Sequence, residues 1–415
     1  MTMHSAYATQ LSRYFLLPIG IWPQEKDTSF ILRALKQLAS MLCACQMGFL
    51  LIPCALHTFL EEKDPGSQLR LIGPMSFNIM AISKYYSLLR NTGKIGDCLQ
   101  HVKQDWKFSN EKRTIDELEI MTRNAKLGRF LTILCATFMY GGGLFYHTIM
   151  PYSVNRMIAS QYKGLSLAEL QNDTSDMSST APRILVWPVY ARLMHVDHSP
   201  IYEIVFVIQF ISGYYLYTIT IAACSLAAVF VTHICGQLEI VMRLLQNYAN
   251  DVESEMAAKS NKMAEIVERH LRALNFAKQI EENLSMICFV EFIGCTMNIC
   301  FLGYYFITEW DDQNLISSIT YLTLLVSFTL NIFMFCYIGQ ILTDQCEKVG
   351  DVAYAIEWYN FRGKKAADLI MIIAIAYRAP AKLTANKITP LTLGTFCNVI
   401  KTSATYFNLL RTVML

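Results

Sequence analysis

The chain has 415 residues, of which 53% are hydrophobic and only 16% are charged. Soluble proteins carry about 25% charged residues, so this composition disfavours a soluble multidomain enzyme. The net charge of +2 also gives no basic footprint for nucleic acid. The composition therefore indicates a polytopic membrane protein.

Seven apolar stretches are long enough to cross a bilayer, which requires about 20 residues of helix. In chain order they are residues 38–60, 69–89, 130–150, 202–234, 284–308, 315–339 and 390–413. An eighth apolar run, residues 366–377, is too short to span and is predicted to be an interfacial or protein-buried helix. The patch before Pro18 lacks a signal-peptide cleavage site, so the first span is expected to act as its own insertion signal. These patterns predict an all-α membrane protein with seven transmembrane helices.

Basic residues are distributed unevenly between the two sides of the predicted bundle. The N-terminal segment and the connections on its side hold 26 of the 35 Lys and Arg residues, and the connections on the other side hold six. Because basic loops remain in the cytoplasm, the N-terminus is predicted to be cytoplasmic and the C-terminus extracellular. The glycosylation sequon at Asn172 agrees, since it falls in the longest outer loop.

The predicted spans divide the chain into six segments. Residues 1–37 form a cytoplasmic N-terminal segment, and residues 38–234 contain spans 1–4 with the extracellular loop 151–201. Apolar residues at helical spacing predict a cytoplasmic helical extension at 235–283, which either packs only on its own chain or contacts another subunit. Spans 5 and 6 follow at 284–339, then a cytoplasmic anchor segment at 340–389 and the last span at 390–415.

The sequence offers little for enzymatic or metal chemistry. The 13 cysteines form no C-x-x-C pair and lie mostly in apolar runs, so no cofactor or metal is expected. The charged residues well inside spans are Lys84, Glu291 and Lys401, on three different helices. The cytoplasmic N-terminus and the missing D-R-Y and N-P-x-x-Y motifs disfavour a G-protein-coupled receptor, and the repeated halves of a transporter are not seen. A metabotropic seven-helix chemoreceptor or a transporter remains as an alternative function.

The last span combines an apolar helix with a polar stripe. Polar residues recur on one helical face, at Asn398, Lys401, Thr402, Thr405, Asn408 and Thr412. In lipid, such a stripe must face protein or water. One possibility is that the stripe makes polar contacts with a neighbouring helix. The other is that it lines an aqueous conduit, which other copies of the same helix complete. In the second case Thr405, Asn408 and Thr412 line the pore, and a ring of Leu409 side chains gates it by dewetting.

Aromatic and small residues are concentrated in the outer halves of the second, third, fourth and sixth spans. Three consecutive glycines at 141–143 leave room, and aromatic rings with hydroxyl tips around a void suit a small, mostly apolar ligand. Ordinary packing and interfacial anchoring are the alternative explanation. The predicted ligand-binding residues are Phe77, Met80, Tyr140, Phe145, Tyr146, Phe206, Phe210, Tyr214 and Tyr321.

Short motifs occur along nearly the whole chain, and the order in which they follow one another is typical of one protein family. They are Leu17–Pro23, Asp105-Trp106, Ser199–Glu203, His233–Glu239, Cys336–Gln340, Glu357–Tyr359 and Thr402–Arg411. Together with the inverted seven-span topology, these motifs resemble an insect odorant receptor of the variable, odour-tuned type, with hymenopteran-like features.

The resemblance implies an odorant-gated, non-selective cation channel that detects a small volatile organic ligand and passes monovalent and divalent cations. It implies four subunits around a central pore, subunit contacts in a cytoplasmic helical anchor, and a heterotetramer with a common co-receptor subunit. It places the pocket among spans two, three, four and six. Aligned from Tyr406-Phe407, it puts the gate at Leu409, with Thr412 one turn outward. The expected location is the plasma membrane of an olfactory sensory neuron dendrite.

Overall fold

The computed structural model describes residues 3–24, 29–112, 115–169, 183, 185–194, 196, 199–250, 256–311, 315–356, 364–378 and 380–414. The helices are α1 Met3–Leu16, α2 Phe30–Leu60, α3 Pro65–Arg90, α4 Thr92–Lys112, α5 Ile115–Leu144, α6 Met150–Glu169, α7 Ile201–Asn250, α8 Met256–Asp311, α9 Leu315–Ala355, α10 Lys364–Arg378 and α11 Leu393–Met414. A π-helical turn, Phe145–Ile149, joins α5 to α6. The two-residue antiparallel strands β1 Thr384–Ala385 and β2 Thr389–Pro390 precede α11.

Each of the seven predicted spans falls in a helix: α2, α3, α5 with its π-helical turn, α7, α8, α9 and α11. Length and composition alone qualify five of the described stretches to cross a membrane: Phe30–Leu60, Asp116–Ser160, Ile201–Ala249, Lys262–Trp310 and Leu315–Ala355. The other two, α3 and α11, are more polar. The polar side chains of α3 include Asn78 and Lys84, which are buried in the bundle. The prediction of an all-α seven-helix membrane protein is confirmed.

Helix α7 forms the centre of the bundle. Its most apolar window is entirely buried inside the protein, and α1, α2, α3, α5, α8 and α9 all pack against it. Small side chains such as Ala223 and Ala227 allow these helices to approach closely. Helix α5 approaches α7 closely, since a Cβ on Gly128 would lie 2.6 Å from the Oγ1 atom of Thr232.

Helices α7 and α8 continue beyond the predicted spans, on the side predicted to be cytoplasmic. Buried apolar residues such as Leu238 and Ile266 pack these extensions within the chain. Asp105 of α4 ties them together: its Oδ2 atom lies 3.0 Å from Nε2 of His233, and its Oδ1 accepts a 2.7 Å hydrogen bond from Arg272. Burial alone would raise the pKa of Asp105, but hydrogen bonds with His101 and His233 lower this pKa well below its ordinary value. The carboxylate is therefore ionised at neutral pH.

The eighth apolar run forms α10, which packs on α9. Leu369, Ile372 and Ala376 are its buried residues, and the Tyr377 hydroxyl donates a hydrogen bond to Asp351 of α9. A short helix with one buried stripe is the structure expected of an apolar run too short to span.

A buried ion pair lies in the middle of the bundle and joins two of the charged residues found in the spans. The Nζ atom of Lys84 on α3 lies 2.9 Å from Oε2 of Glu291 on α8 and 2.8 Å from Oγ1 of Thr220 on α7. Both charged side chains have no solvent exposure. The carboxylate also accepts hydrogen bonds from Cys295, at 3.1 Å, and from Asn331 of α9. One ion pair therefore links four helices.

Candidate functional site

A cavity lies between α3, the π-helical turn, α7, α8, α9 and the segment 185–194, in the half of the bundle predicted to be outer. Its empty volume, counted as all space not filled by atoms, is about 460 Å³. That figure includes space open to solvent, and about 40 Å³ of it admits the centre of a water-sized molecule, which is room for a few waters. The lining residues are Gly73, Pro74, Phe77, Tyr146, His147, Trp187, Tyr217, Asn298, Phe301, Leu302, Tyr305, Tyr321, Leu324 and Phe328.

Aromatic rings form most of the wall and hold one another in place. The ring of Phe77 lies 5.4 Å from that of Tyr217 and meets the ring of Phe328 edge-on at 5.1 Å. On the opposite wall, the rings of Tyr305 and Tyr321 are 5.4 Å apart. Tilted and edge-on contacts at these distances are favourable aromatic geometry, so the wall is rigid and largely apolar.

Gly73 lets α3 approach the wall formed by α8. A Cβ at this position would lie 2.8 Å from the ring and the hydroxyl of Tyr305. That hydroxyl donates a hydrogen bond to the carbonyl oxygen of Leu69, which fixes the ring against α3. The shape of the cavity at this wall therefore depends on the missing side chain of Gly73.

The π-helical turn brings two neighbouring residues to the cavity. The ring of His147 meets that of Tyr146 edge-on at 5.3 Å and that of Tyr217 at 5.9 Å. Such turns insert one extra residue into an α-helix and occur frequently at functional sites. Here the turn begins two positions after the last of the three glycines, Gly143.

The segment 185–194 closes one side of the cavity through Trp187. The side-chain amide of Gln209 on α7 donates to the Trp187 carbonyl oxygen at 2.7 Å and accepts from the Trp187 backbone N–H at 3.4 Å. Both residues are buried. The indole Nε1 of Trp187, in contrast, is buried without a hydrogen-bond partner among the described residues. A buried donor left unpaired costs about 1–3 kcal/mol.

The predicted pocket residues divide into those that line the cavity and those that lie outside it. Phe77, Tyr146 and Tyr321 line it. The other six lie outside it. Met80 packs against Gly294, Tyr140 and Tyr214 stack on each other at 5.2 Å, and Phe206 stacks on Tyr202. Phe145 is half-buried and Phe210 is exposed.

Sequence reasoning did not select several cavity residues. His147 and Tyr217 stand in the aromatic runs that marked the outer halves of the spans, so the signal for them was present. Tyr305 belongs to the fifth span, which was not among those expected to line the pocket. Trp187 lies in a loop, where helical periodicity gives no information; a large aromatic residue beside Pro188 was its only signal.

The predicted pore residues lie on the outer surface of the chain. Thr405, Asn408, Leu409 and Thr412 are all exposed on α11, and Leu409 has 59% of its surface exposed. The hydroxyls of Thr405 and Thr412 donate to carbonyl oxygens of their own helix, each at 3.0 Å. These hydroxyls therefore do not tie α11 to the rest of the chain in the described structure.

The opposite face of α11 packs on the bundle. Phe396, Ile400 and Leu410 contact the core, and Ser403 is buried, with its hydroxyl donating to the Thr296 carbonyl oxygen of α8 at 3.0 Å. The helix thus has an apolar inner face and a polar outer face.

Helix α8 lies between the cavity and α11. Asn298, Phe301 and Tyr305 line the cavity, whereas Thr296 accepts the hydrogen bond from α11. A Cβ on Gly303 would lie 3.9 Å from the ring of Phe407 on α11. A shift of α8 at the cavity would therefore displace the residues that α11 contacts.

Two sequence features lie outside the described residues: the sequon at Asn172 and the motif Glu357–Tyr359. Within the described ranges, no three His, Cys, Asp or Glu residues are close enough together to hold a metal ion.

The chain matches the family model described as 7tm Odorant receptor over residues 69–404. Odorant receptor 13a of Drosophila melanogaster is 22% identical over 224 residues, which cover 51% of this chain and 53% of that protein. Odorant receptor 67c of the same species is 28% identical over 188 residues, 45% of each chain. Odorant receptor 10 of Aedes albopictus is 22% identical over 223 residues, 52% of this chain and 56% of that protein. The chain thus spans about half the length of the curated relatives it matches.

Solved structures share the fold along the whole chain. The insect olfactory receptor OR5 from Machilis hrabei superposes with a TM-score of 0.74 over 98% of both chains, at 14% identity. The same receptor in complex with eugenol gives a TM-score of 0.71 over 99% of this chain and 98% of that one, also at 14% identity. The family model covers well over half of the chain, and the fold agrees with it: this chain belongs to the 7tm Odorant receptor family.

Proposed function

We propose that this chain is the odour-tuned subunit of a ligand-gated, non-selective cation channel, opened by a small volatile organic molecule in the cavity. The outward polar face of α11 is the observation that carries the proposal. The Asn408 amide would be costly against lipid, and Thr405 and Thr412, whose hydroxyls bond within their own helix, extend the same polar face, so this face requires water or another protein chain. If copies of α11 surround a central axis, this face meets neighbouring protein chains and the water of the pore.

Helix α8 supplies the mechanical connection in this proposal. A ligand can shift the channel only through different affinities for its closed and open arrangements. Contacts with Phe301 and Tyr305 would favour one position of α8, and the hydrogen bond from Ser403 to Thr296 would transmit that position to α11. Leu409 then leaves or enters the narrowest part of the conduit.

The assembly in this proposal is a heterotetramer with the common co-receptor subunit. The extension at 235–283 and the anchor segment at 340–389 carry the subunit contacts, and 390–415 forms the pore wall. The channel works in the plasma membrane of the olfactory sensory neuron dendrite. The solved relative in complex with eugenol supports a small organic ligand.

Recording from cells tests the proposal directly. Co-expression of this chain with the co-receptor is expected to give cation currents evoked by members of a volatile panel, within the time of ligand arrival and with G-protein signalling blocked. Currents that disappear on that block would contradict the channel proposal and favour the metabotropic alternative.

The topology of the chain gives a simpler prediction. An epitope added after Leu415 is expected to bind antibody on intact cells. The excess of basic residues places the N-terminus in the cytoplasm, and an odd number of spans then places the C-terminus outside the cell. An epitope before Met1 should require permeabilised cells. The opposite pattern would contradict the inverted topology on which the channel proposal depends.

The Gly73 wall gives a prediction for ligand sensitivity. In Gly73→Ala the new Cβ would meet the Tyr305 ring at 2.8 Å, so the ring must shift and the cavity must change shape. Overpacking of this kind costs about 1–3 kcal/mol, and the half-maximal ligand concentration is expected to rise about tenfold or more.

Gly141→Ala is the matched control, because a Cβ there has no described atom within 4 Å. Its half-maximal concentration should stay within about twofold of the parent, since an open helical site gains only helix propensity of about 1 kcal/mol. The same half-maximal concentration in both variants would show that the ligand does not contact the wall at Gly73.

A further inference from the structure

The cavity wall includes a buried indole N–H that has no hydrogen-bond partner among the described residues. This N–H belongs to Trp187, which is 2% exposed. An indole N–H is a donor only, so no rotation can turn it into an acceptor. Its acceptor is therefore missing from the described structure, and the cavity that Trp187 lines can admit one.

Two neighbouring side-chain amides are already engaged elsewhere. The side-chain amide of Gln209 uses both its donor and its acceptor on the backbone of Trp187. The amide of Asn298 donates to the Gly294 carbonyl oxygen at 2.8 Å and accepts from the Ser76 hydroxyl at 3.2 Å. The Gln209 contacts hold the backbone of Trp187 in place, and neither amide bonds to the indole N–H.

Charge limits the acceptor further. None of the described residues that line the cavity is Asp, Glu, Lys or Arg. A charged ligand would find no counter-ion there, and burying an unpaired charge is far more costly than burying a neutral acceptor. The remaining candidates are neutral molecules with an apolar body.

We propose that the indole N–H of Trp187 donates a hydrogen bond to the ligand, which selects neutral apolar molecules with a carbonyl, ester or ether oxygen over hydrocarbons of the same shape. This inference rests on the proposed function of the cavity and defines its ligand class. Gln209 acts as a positioning residue, since it fixes the backbone of Trp187.

The test replaces the single N–H while keeping the shape of the side chain. Trp187 is exchanged for benzothienylalanine by nonsense suppression, which puts sulfur in place of N–H. The same exchange at Trp310, which is 61% exposed, is the matched control. The probes are a homologous series of methyl ketones and their methylidene analogues, in which a C=CH2 group replaces C=O. Currents are recorded from the channel co-expressed with the co-receptor.

The parent channel is expected to respond to the effective ketones at concentrations about tenfold lower than to their methylidene analogues, the effect of about one hydrogen bond. Exchange at Trp187 should raise the half-maximal ketone concentration about tenfold and leave the methylidene response unchanged. Exchange at Trp310 should change neither.

Two results would overturn the inference while the proposed function stands: equal responses to ketones and methylidene analogues in the parent, or an unchanged ketone response after exchange at Trp187. A water molecule bound to the indole would give the second result. If neither series evokes current but other members of the volatile panel do, the inference fails and the proposed function stands; if no panel member evokes current from a channel present at the cell surface, both fail.

Discussion

Lys84→Met is expected to destabilise the chain by about 3–5 kcal/mol, because it removes one partner of a fully buried ion pair. Glu291 would keep its hydrogen bonds from Cys295 and Asn331 but would lose its only described cationic partner, 2.9 Å away. The four helices joined at this point would then enclose an uncompensated charge. The measurement is the thermal midpoint of the detergent-solubilised protein, together with its amount at the cell surface.

Two further variants make this result specific to the ion pair. Lys278→Met, at an exposed lysine of α8, should change stability by no more than about 0.5 kcal/mol. The double variant Lys84→Met with Glu291→Leu should recover most of the lost stability, because apolar residues can replace a buried ion pair at little cost. A Lys84→Met protein as stable as its parent would show that the pair contributes nothing.

Leu409→Ala is expected to raise the current in the absence of ligand severalfold. A narrow ring of leucine side chains excludes water from a pore, and smaller side chains let water and ions return. In the isolated chain, Leu409 is 59% exposed beside the polar stripe of α11, where neighbouring subunits would meet it. The measurement is basal current through the channel with the co-receptor, normalised to surface expression.

Leu322→Ala is the control for this prediction. Leu322 is a 42% exposed leucine on α9, away from the polar stripe, and its loss should leave the basal current unchanged. A Leu409→Ala channel with normal surface expression, normal basal current and normal ion selectivity would show that α11 does not place this residue in the gate.

Hydropathy predicted the spans because burial in a bilayer depends on local composition. It did not predict α1 and α4, whose helical structure depends on distant contacts. In α1, the Ser12 hydroxyl shares a 2.7 Å hydrogen bond with Ser225 of α7, more than 200 positions away. In α4, Asp105 is held by Arg272 of α8. Such contacts have no periodic signature along the chain.

The cavity was predictable by region but not by residue. Phe206, Phe210 and Tyr214 follow each other at helical spacing and share one face of α7. Tyr217 continues this face, three residues after Tyr214 and seven after Phe210, and it lines the cavity, whereas Phe210 and Tyr214 are exposed. Composition marks an aromatic face, whereas the packing of neighbouring helices decides which part of that face along the helix is buried. The π-helical turn adds a further shift of one residue that no hydrophobic period shows.

Because α8 presents one set of residues to the cavity and another to α11, ligand preference and ion conduction would rest on separable positions in the proposed channel. Substitutions at Phe301, Leu302 or Tyr305 can alter which molecule fits, while Thr296 and Gly303 keep their contacts with α11. A lineage of duplicated receptors could therefore diversify in odour range by mutations on one stripe of a single helix. The channel itself would not need to be rebuilt each time.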